Sequence, residues 1–316
     1  MRIAVDVMGG DYAPAEIIAG ALEWAAQNDS QLLLVGEQDV IAREMESYTG
    51  HPGRVSIVHA SEVVGMNEAP ALALRKKKDS SIMVATKLVK TGEADAVVSC
   101  GNTGAQMAAA VFILDRLEGI ERPPIVAAVP NISGKFSLLI DVGANVDCRP
   151  GQLLQFALLG NAYARVGLGI ENPRIGLLNN GEEETKGNAQ VVEGHKLMKN
   201  HPELNFIGNI EGRDLFNNKC DVIVCDGFTG NIVLKTVEGL AMIMAGAVKK
   251  ELKQSLSIFK HFDYTQVGGA PLLGINGISI VCHGSSKRQA VYNGIRIAAE
   301  CVQQDIVTMQ KEALSR

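Results

Sequence analysis

The chain has 316 residues, 47% of them hydrophobic and 21% charged, with a net charge of −5 at neutral pH. This is the composition of a water-soluble globular protein able to bury a sizeable core. The acidic balance and the 4% aromatic content give no support to a nucleic-acid-binding surface. Six cysteines (Cys100, Cys148, Cys220, Cys225, Cys282 and Cys301) form no C-x-x-C pair, so they read as reduced thiols of a cytosolic protein. The N-terminus carries no apolar leader. The longest helical apolar run, residues 239–248, falls short of the roughly 20 residues a bilayer requires.

Residues 2–7 predict a strand, followed by the turn Met8-Gly9-Gly10-Asp11 and a helix over 14–27. A second strand (32–36), a charged amphipathic helix and a third strand (55–59) come next. Residues 71–89 read as helical, interrupted near Asp79-Ser80, and carry the basic run Arg75-Lys76-Lys77-Lys78. A fourth strand (96–100) enters the turn Gly101-Asn102-Thr103-Gly104 and a helix of small residues. Two apolar runs, 125–129 and 138–142, are joined through Asn131-Ile132-Ser133-Gly134 and predict a hairpin that breaks the alternation. Helix 151–166, strand 174–179, a glutamate-rich loop to Gly187, a helix to Lys199 and strand 205–210 follow. Two further strands end at Cys225 and Cys282, each entering a polar turn and a helix, the last helix starting at Ser286. Such alternation predicts a doubly wound, mostly parallel α/β sheet with a small antiparallel part. No sequence repeat or compositional boundary divides the chain, which reads as a single domain over 1–316 with a protruding helical segment near 236–265.

Three turns share one design: an apolar strand closed by cysteine, then glycine with threonine or serine, then a helix. They are Gly101-Asn102-Thr103-Gly104, Asp226-Gly227-Phe228-Thr229-Gly230-Asn231 and His283-Gly284-Ser285-Ser286. Turns without bulky side chains let backbone amides approach a ligand, and the positive helix end suits an anion such as phosphate. Each alone is equally a helix cap; three together predict strand ends converging on one edge as an anion cup. Cys100 has the place of a low-pKa nucleophile, but a cysteine closing a strand is more often a small apolar filler. Lys186 lies in a glycine-bounded loop beside three glutamates, either a solvated loop or a mobile cation for an oxyanion. Lys235, one turn into its helix, is a second cation of this kind, and His283 is either a general acid or a structural hydrogen-bonding residue. Asp6, Asp11, Asp141, Asp147 and Asp226 also stand at strand ends, where holding turn amides is their expected role. Over 236–260, Met244, Val248, Leu252, Leu256 and Phe259 recur at helical spacing with Lys249, Lys250, Lys253 and Lys260 on other faces. That pattern predicts a dimer-interface helix up to Val248 and, from Leu252, an apolar tip able to lie on a membrane. There is no G-x-G-x-x-G, no P-loop, no G-x-S-x-G and no zinc-ligand spacing.

Taken in order, six segments resemble the soluble phosphate acyltransferases of bacterial phospholipid synthesis: residues 6–11, 101–105, 141–145, 176–187, 226–231 with Lys235, and 283–286. The resemblance runs from Met1 to at least Val307. It implies a fold similar to isopropylmalate dehydrogenases and phosphotransacetylases, and formation of acyl phosphate from acyl-[acyl-carrier-protein] and inorganic phosphate without metal or other cofactor. It implies a homodimer in the cytoplasm, peripherally associated with the inner face of the membrane beside a glycerol-3-phosphate acyltransferase that uses the product. On this resemblance Gly101, Asn102, Thr103, Thr229 and Ser285 bind phosphate. Lys186 and His283 stabilise the oxyanion or protonate the leaving thiolate, with Asn231 and Lys235 in support. Lys249, Lys250 and Lys253 dock the acidic carrier protein, and Leu252, Leu256 and Phe259 touch the membrane, although the segment before Gly268 is shorter than in many members. Arg75–Lys78 is a second candidate patch for the carrier. A metal- and NAD-dependent dehydrogenase of the same fold, and a non-catalytic membrane-surface scaffold, are the alternatives.

Overall fold

A computed structural model describes residues 1–48, 53–252 and 268–315. The chain forms two compact units, Met1–Asp115 with Tyr264–Asp305, and Arg116–Asp263 with Ile306–Arg316.

The first unit holds strands β1 (Arg2–Asp6), β2 (Gln31–Gly36), β3 (Val55–His59) and β4 (Ala96–Ser99), joined late in the chain by β10 (Ala270–Pro271) and β11 (Ser279–Val281). Their order is β10-β11-β4-β1-β2-β3, parallel except that β10 runs antiparallel to β11. Ile3, Ala4, Val5, Val97 and Ile280 are fully buried, as expected for strands covered on both faces. The cover is α1 (Ala15–Gln27), α2 (Gln38–Met45), α3 (Pro70–Lys76), α4 (Ser81–Lys90), α5 (Thr103–Ala109, continued by a π turn at Ala110–Leu114) and α9 (Arg288–Gln303). Asp6 and Val281 both register with Ser99, so the three chains leave the sheet side by side.

The second unit has β5 (Val126–Pro130), β6 (Phe136–Ile140), β7 (Arg174–Leu178), β8 (Asn205–Ile210) and β9 (Val222–Val224) in the order β5-β6-β9-β7-β8. β5 and β6 form the expected antiparallel hairpin, its turn held by Asn131 Oδ1, which accepts from Ser133 N, Ser133 Oγ and Lys135 N. Helices α6 (Pro150–Gly167), α7 (Ala189–Lys199), α8 (Gly227–Leu252) and α10 (Ile306–Leu314) complete it, with Phe156, Leu138, Leu139 and Ile140 in the core.

Three expectations are corrected. The cysteine-ended strands do not share one sheet edge: β4 and β11 are neighbours in the first unit, whereas β9 belongs to the second. Strand pattern does not encode which sheet a strand joins. The last helix starts at Arg288, because Ser286 N closes a turn on His283 O, and it ends before Asp305, whose φ of 47° breaks the helix ahead of α10. The apolar stretch is also longer than residues 239–248: α8 runs 26 residues, and within Gly227–Glu251 it is long and apolar enough, by length and composition only, to cross a membrane. Leu240, Met242, Ile243 and Met244 are exposed along it. Lys253, Leu256 and Phe259 lie outside the described residues.

Candidate functional site

In the first unit three loops interlock at the adjoining ends of β1, β4 and β11. Asp11 N donates to Gly284 O at 2.8 Å, stitching the first loop to the third. A Cβ on Gly9 would lie 2.8 Å from the Gly101 Cα, and one on Gly10 (φ 112°) 3.1 Å from the Cys100 carbonyl oxygen, so backbone meets backbone where any side chain would hold it apart. Below the loops Asp6 is buried; its Oδ2 accepts from Ser99 Oγ at 2.7 Å and its Oδ1 from Met8 N at 3.3 Å. Burial pushes the Asp6 carboxyl above its usual range, against the pull of these donors.

The structure assigns the residues of the 101–104 loop separate tasks. Gly101 N donates to Ser99 Oγ at 3.0 Å. Asn102, not Thr103, is the N-cap: its Oδ1 accepts from Ala105 N at 3.0 Å, and its Nδ2 donates to the carbonyls of Met66 and Glu68 at 3.0 Å and Gly65 at 3.3 Å. Thr103 is exposed at the first position of α5, where amides have no helical acceptor and face outward. In the third loop Ser285 sits against His283, whose Nδ1 lies 2.7 Å from Ser285 Oγ and accepts from Ser285 N at 3.2 Å. With Nδ1 accepting, the neutral ring carries its proton on Nε2. Cys100 is no thiolate: contact with the Cys282 thiol and complete burial push its pKa well up, outweighing the helix end.

In the second unit the loop after β6 is built around Asp141. Its Oδ1 accepts from Ile125 N, Gly143 N and Ala144 N, and its Oδ2 from Asn145 N and Nδ2, at 2.6–3.2 Å. Five donors and no acceptor describe a carboxylate, although burial pushes its pKa up. A Cβ at Gly143 would lie 3.6 Å from the Asn231 side chain, so Asn231 rests over this loop. Asp226 takes up both donors of Thr229, the amide and the hydroxyl at 2.8 Å each, and therefore places negative charge beside that hydroxyl. Lys235 pairs with Glu238 at 2.8 Å.

The glutamate-rich loop after β7 is clamped from outside. Glu182 pairs with Lys219 and Glu184 with Lys199, both at 2.6 Å, while the Glu183 carbonyl accepts from Asn209 Nδ2 at 2.8 Å. Asn209 is fixed in turn by buried His195, whose Nδ1 lies 3.0 Å from Asn209 Oδ1. Lys186 is exposed and makes no ion pair among the described residues; Glu183 makes none either, and a Cβ on Gly181 would lie 2.9 Å from both Glu183 Oε2 and Lys186 Cγ, so this carboxylate and the lysine stem flank the same glycine. Between the loop after β6 and the starts of α7 and α8 opens a cavity of about 620 Å³ lined by apolar Val146, Leu153 and Phe228 and by charged Asp147, Arg149 and Asp226 among others. Sequence reasoning missed this cavity and the His195–Asn209 clamp; the only signal for either was a polar pair buried at helical and strand positions.

The first unit thus brings together Gly101, Asn102, Thr103, His283 and Ser285, and the second unit holds Lys186, Thr229, Asn231 and Lys235. Lys249 and Lys250 are exposed near the end of α8.

Comparison with known proteins places the chain in a family. Residues 1–309 match the family described as fatty acid synthesis protein. Phosphate acyltransferase from Syntrophomonas wolfei is 59% identical over 317 residues, covering 100% of this chain and 99% of that protein. The protein of the same name from Desulforamulus reducens is 50% identical over 327 residues, covering 99% and 97%. Among solved structures, a phosphotransacetylase from Streptococcus pyogenes superposes with a TM-score of 0.67 at 17% identity, over 100% of this chain and 94% of that one. A 4-hydroxythreonine-4-phosphate dehydrogenase from Klebsiella pneumoniae does so with 0.60 at 14%, over 96% and 98%; these two likenesses establish the fold alone. Matched over its whole length at such identity, the chain is an acyltransferase and belongs to the phosphate acyltransferase family.

Proposed function

We propose that the enzyme forms acyl phosphate from acyl-[acyl-carrier-protein] and inorganic phosphate, feeding phospholipid synthesis. Phosphate is already an oxyanion at neutral pH and needs no strong base. The reaction needs an anion cup, a thioester carbonyl held against it, and stabilisation of the tetrahedral oxyanion. A phosphate oxygen bonds to the carbonyl carbon, the C–S bond breaks, and the thiolate leaves and takes up a proton.

The observation that carries this reading is the interlocked cup at the ends of β1, β4 and β11. There the amides of Asn102 and Thr103 and the Ser285 hydroxyl receive phosphate, with Gly101, its own amide taken by Ser99 Oγ, leaving the approach free of side chains and Asn102 holding the loop. Thr229 contributes once its hydroxyl turns from Asp226. Lys186, which makes no ion pair among the described residues, and His283, with a proton on Nε2, stabilise the oxyanion or protonate the thiolate, supported by Asn231 and Lys235. The 620 Å³ cavity takes the acyl or prosthetic-arm end of the substrate. The exposed apolar length of α8 suits a homodimer interface, and Leu252, Leu256 and Phe259 suit contact with the inner membrane surface, where a glycerol-3-phosphate acyltransferase takes the product. Lys249, Lys250 and Lys253 are a carrier-docking candidate on the same segment.

The test is thiol release from acyl-carrier protein with and without phosphate, in the presence of a chelator, with the acyl phosphate followed by 31P NMR. Release that ignores phosphate, or a requirement for a metal ion, sinks the proposal.

A further inference from the structure

Helix α3 spells P-A-L-A-L-R-K. Ala73 and Leu74 enter the core of the first unit. Leu72, Arg75 and Lys76 stand at i, i+3 and i+4, so they share the opposite face, and all three are exposed, Leu72 at 53%. Lys78 follows in the same exposed stretch, and Lys87 of α4 reaches across to donate to the Lys78 carbonyl at 3.1 Å, adding a further positive charge. Of the acidic groups nearby one is neutralised, while Asp79 and Glu62, whose Oε2 accepts from Asp79 N, keep their charge at the far end of the stretch. Glu68 is paired with Lys77, and Asp79 accepts from Ser61 N and Oγ, which holds its carboxyl below the usual range. Arg75, Lys76 and Lys78 make no ion pair among the described residues. The face is a cluster of cations around one apolar side chain, with Asp79 beside Lys78 and Lys87 at its edge.

Its position couples it to the anion cup. The Nδ2 of Asn102 holds the carbonyls of Gly65, Met66 and Glu68, and a Cβ on Gly104 would lie 2.5 Å from Pro70 Cγ, so the N-terminus of α3 rests on the start of α5. From Pro70 to Lys76 the helix rises about 9 Å. By contrast Lys249 stands about 27 Å along α8 from Asn231. A substrate carried on a flexible arm must dock within the length of that arm from the reacting atoms.

We propose that the exposed face of α3, Leu72 with Arg75, Lys76 and Lys78, is the docking surface for the acidic carrier protein that presents the acyl thioester. The inference rests on the acyl-carrier reading above and adds the surface, its polarity and its place beside the 101–104 loop. Cations of this kind act on encounter and orientation, so their effect falls on binding and weakens with salt.

The test uses the full-length chain with Arg75→Glu, Lys76→Glu and Lys78→Glu combined, and the same three sites changed to Gln. Binding of the acyl-carrier protein is measured by fluorescence anisotropy at low and high salt. Turnover is compared for the carrier-bound thioester and for the same acyl group on free pantetheine. The triple Glu variant should weaken carrier binding on the order of tenfold and lower the ratio of kcat/KM for the two substrates equally. The Gln variant should lie between, and the differences should shrink at high salt. An unchanged ratio with unchanged binding, or a loss that falls on Lys249→Glu/Lys250→Glu instead, overturns the proposal. Equal loss on both substrates with a lowered Tm also counts against it, since the residues would then serve the fold. If no acyl phosphate forms from either substrate, the activity reading fails, while carrier binding still decides the docking surface.

Discussion

Replacing Asn102 by alanine separates the work of the 101–104 loop from that of its ligand. The substitution deletes the Oδ1 that caps α5 at Ala105 N and the Nδ2 that ties the loop to the carbonyls of Gly65, Met66 and Glu68. Loss of an asparagine cap costs about 1 kcal/mol. An amide has two hydrogens, so the three carbonyl contacts amount to two hydrogen bonds, each worth about 1 kcal/mol net. Asn102 is only half buried, and water replaces part of what is lost, leaving about 2 kcal/mol. With a urea dependence of about 2 kcal/mol/M, the midpoint falls by about 1 M. Trp24, the single tryptophan of the sequence, belongs to α1 in the first unit, so its fluorescence reads the unit that holds Asn102. Asn102→Asp keeps the cap but turns an acceptor toward three carbonyl oxygens, and should lose at least as much. Midpoints of both variants indistinguishable from the parent, with KM for phosphate raised, would refute the reasoning and make Asn102 a ligand contact rather than a brace.

Three other outcomes are expected. Gly230→Ala should lower Tm by the equivalent of about 1–3 kcal/mol, since its Cβ would collide with the Asp141 carbonyl oxygen, whereas Gly239→Ala, with open space, should be neutral or stabilising by up to about 1 kcal/mol. Lys186→Ala should reduce kcat about 10²–10³-fold with Tm unchanged, and Lys186→Arg should recover part of it; full kcat in the alanine variant removes Lys186 from the chemistry. Burial pushes the Asp221 carboxyl up, but the Arg174 guanidinium and amide bring it net below its usual range. A depressed carboxylate stabilises the fold above its unfolded value near 4 and loses that contribution as pH falls through the folded one. Asp221→Asn should therefore flatten the acid limb of a Tm-versus-pH curve; an unaltered limb contradicts the pairing.

Much of the architecture was legible because period and punctuation are local. The hairpin at Asn131–Gly134, the break near Asp79 and the glycine turns at strand ends all follow from residues within a few positions of one another. Asp141 was legible as a holder of turn amides, and it holds five N–H groups. Strand order was not, since nothing local in Ile223 or Ile280 distinguishes a strand of one sheet from a strand of the other. Nor was the division of labour around Asn102 and Thr229, because it depends on carbonyls at 65–68 and on which acceptor Asp226 offers. The pairing of Glu184 and Glu182 likewise appears only once Lys199 and Lys219 arrive from distant segments.

The place of β11 between β10 and β4 bears on how the chain is made. Strand β4 emerges from the ribosome early, yet its neighbour and the helix that covers α1 are translated only after the whole β5–β9 sheet. Until then the N-terminal strands present a bare edge, the kind of surface that pairs with strangers. A nascent polypeptide stalled before residue 279 is thus an aggregation hazard by construction, and the segment from Ser279 to Gln303 acts as the latch that retires it.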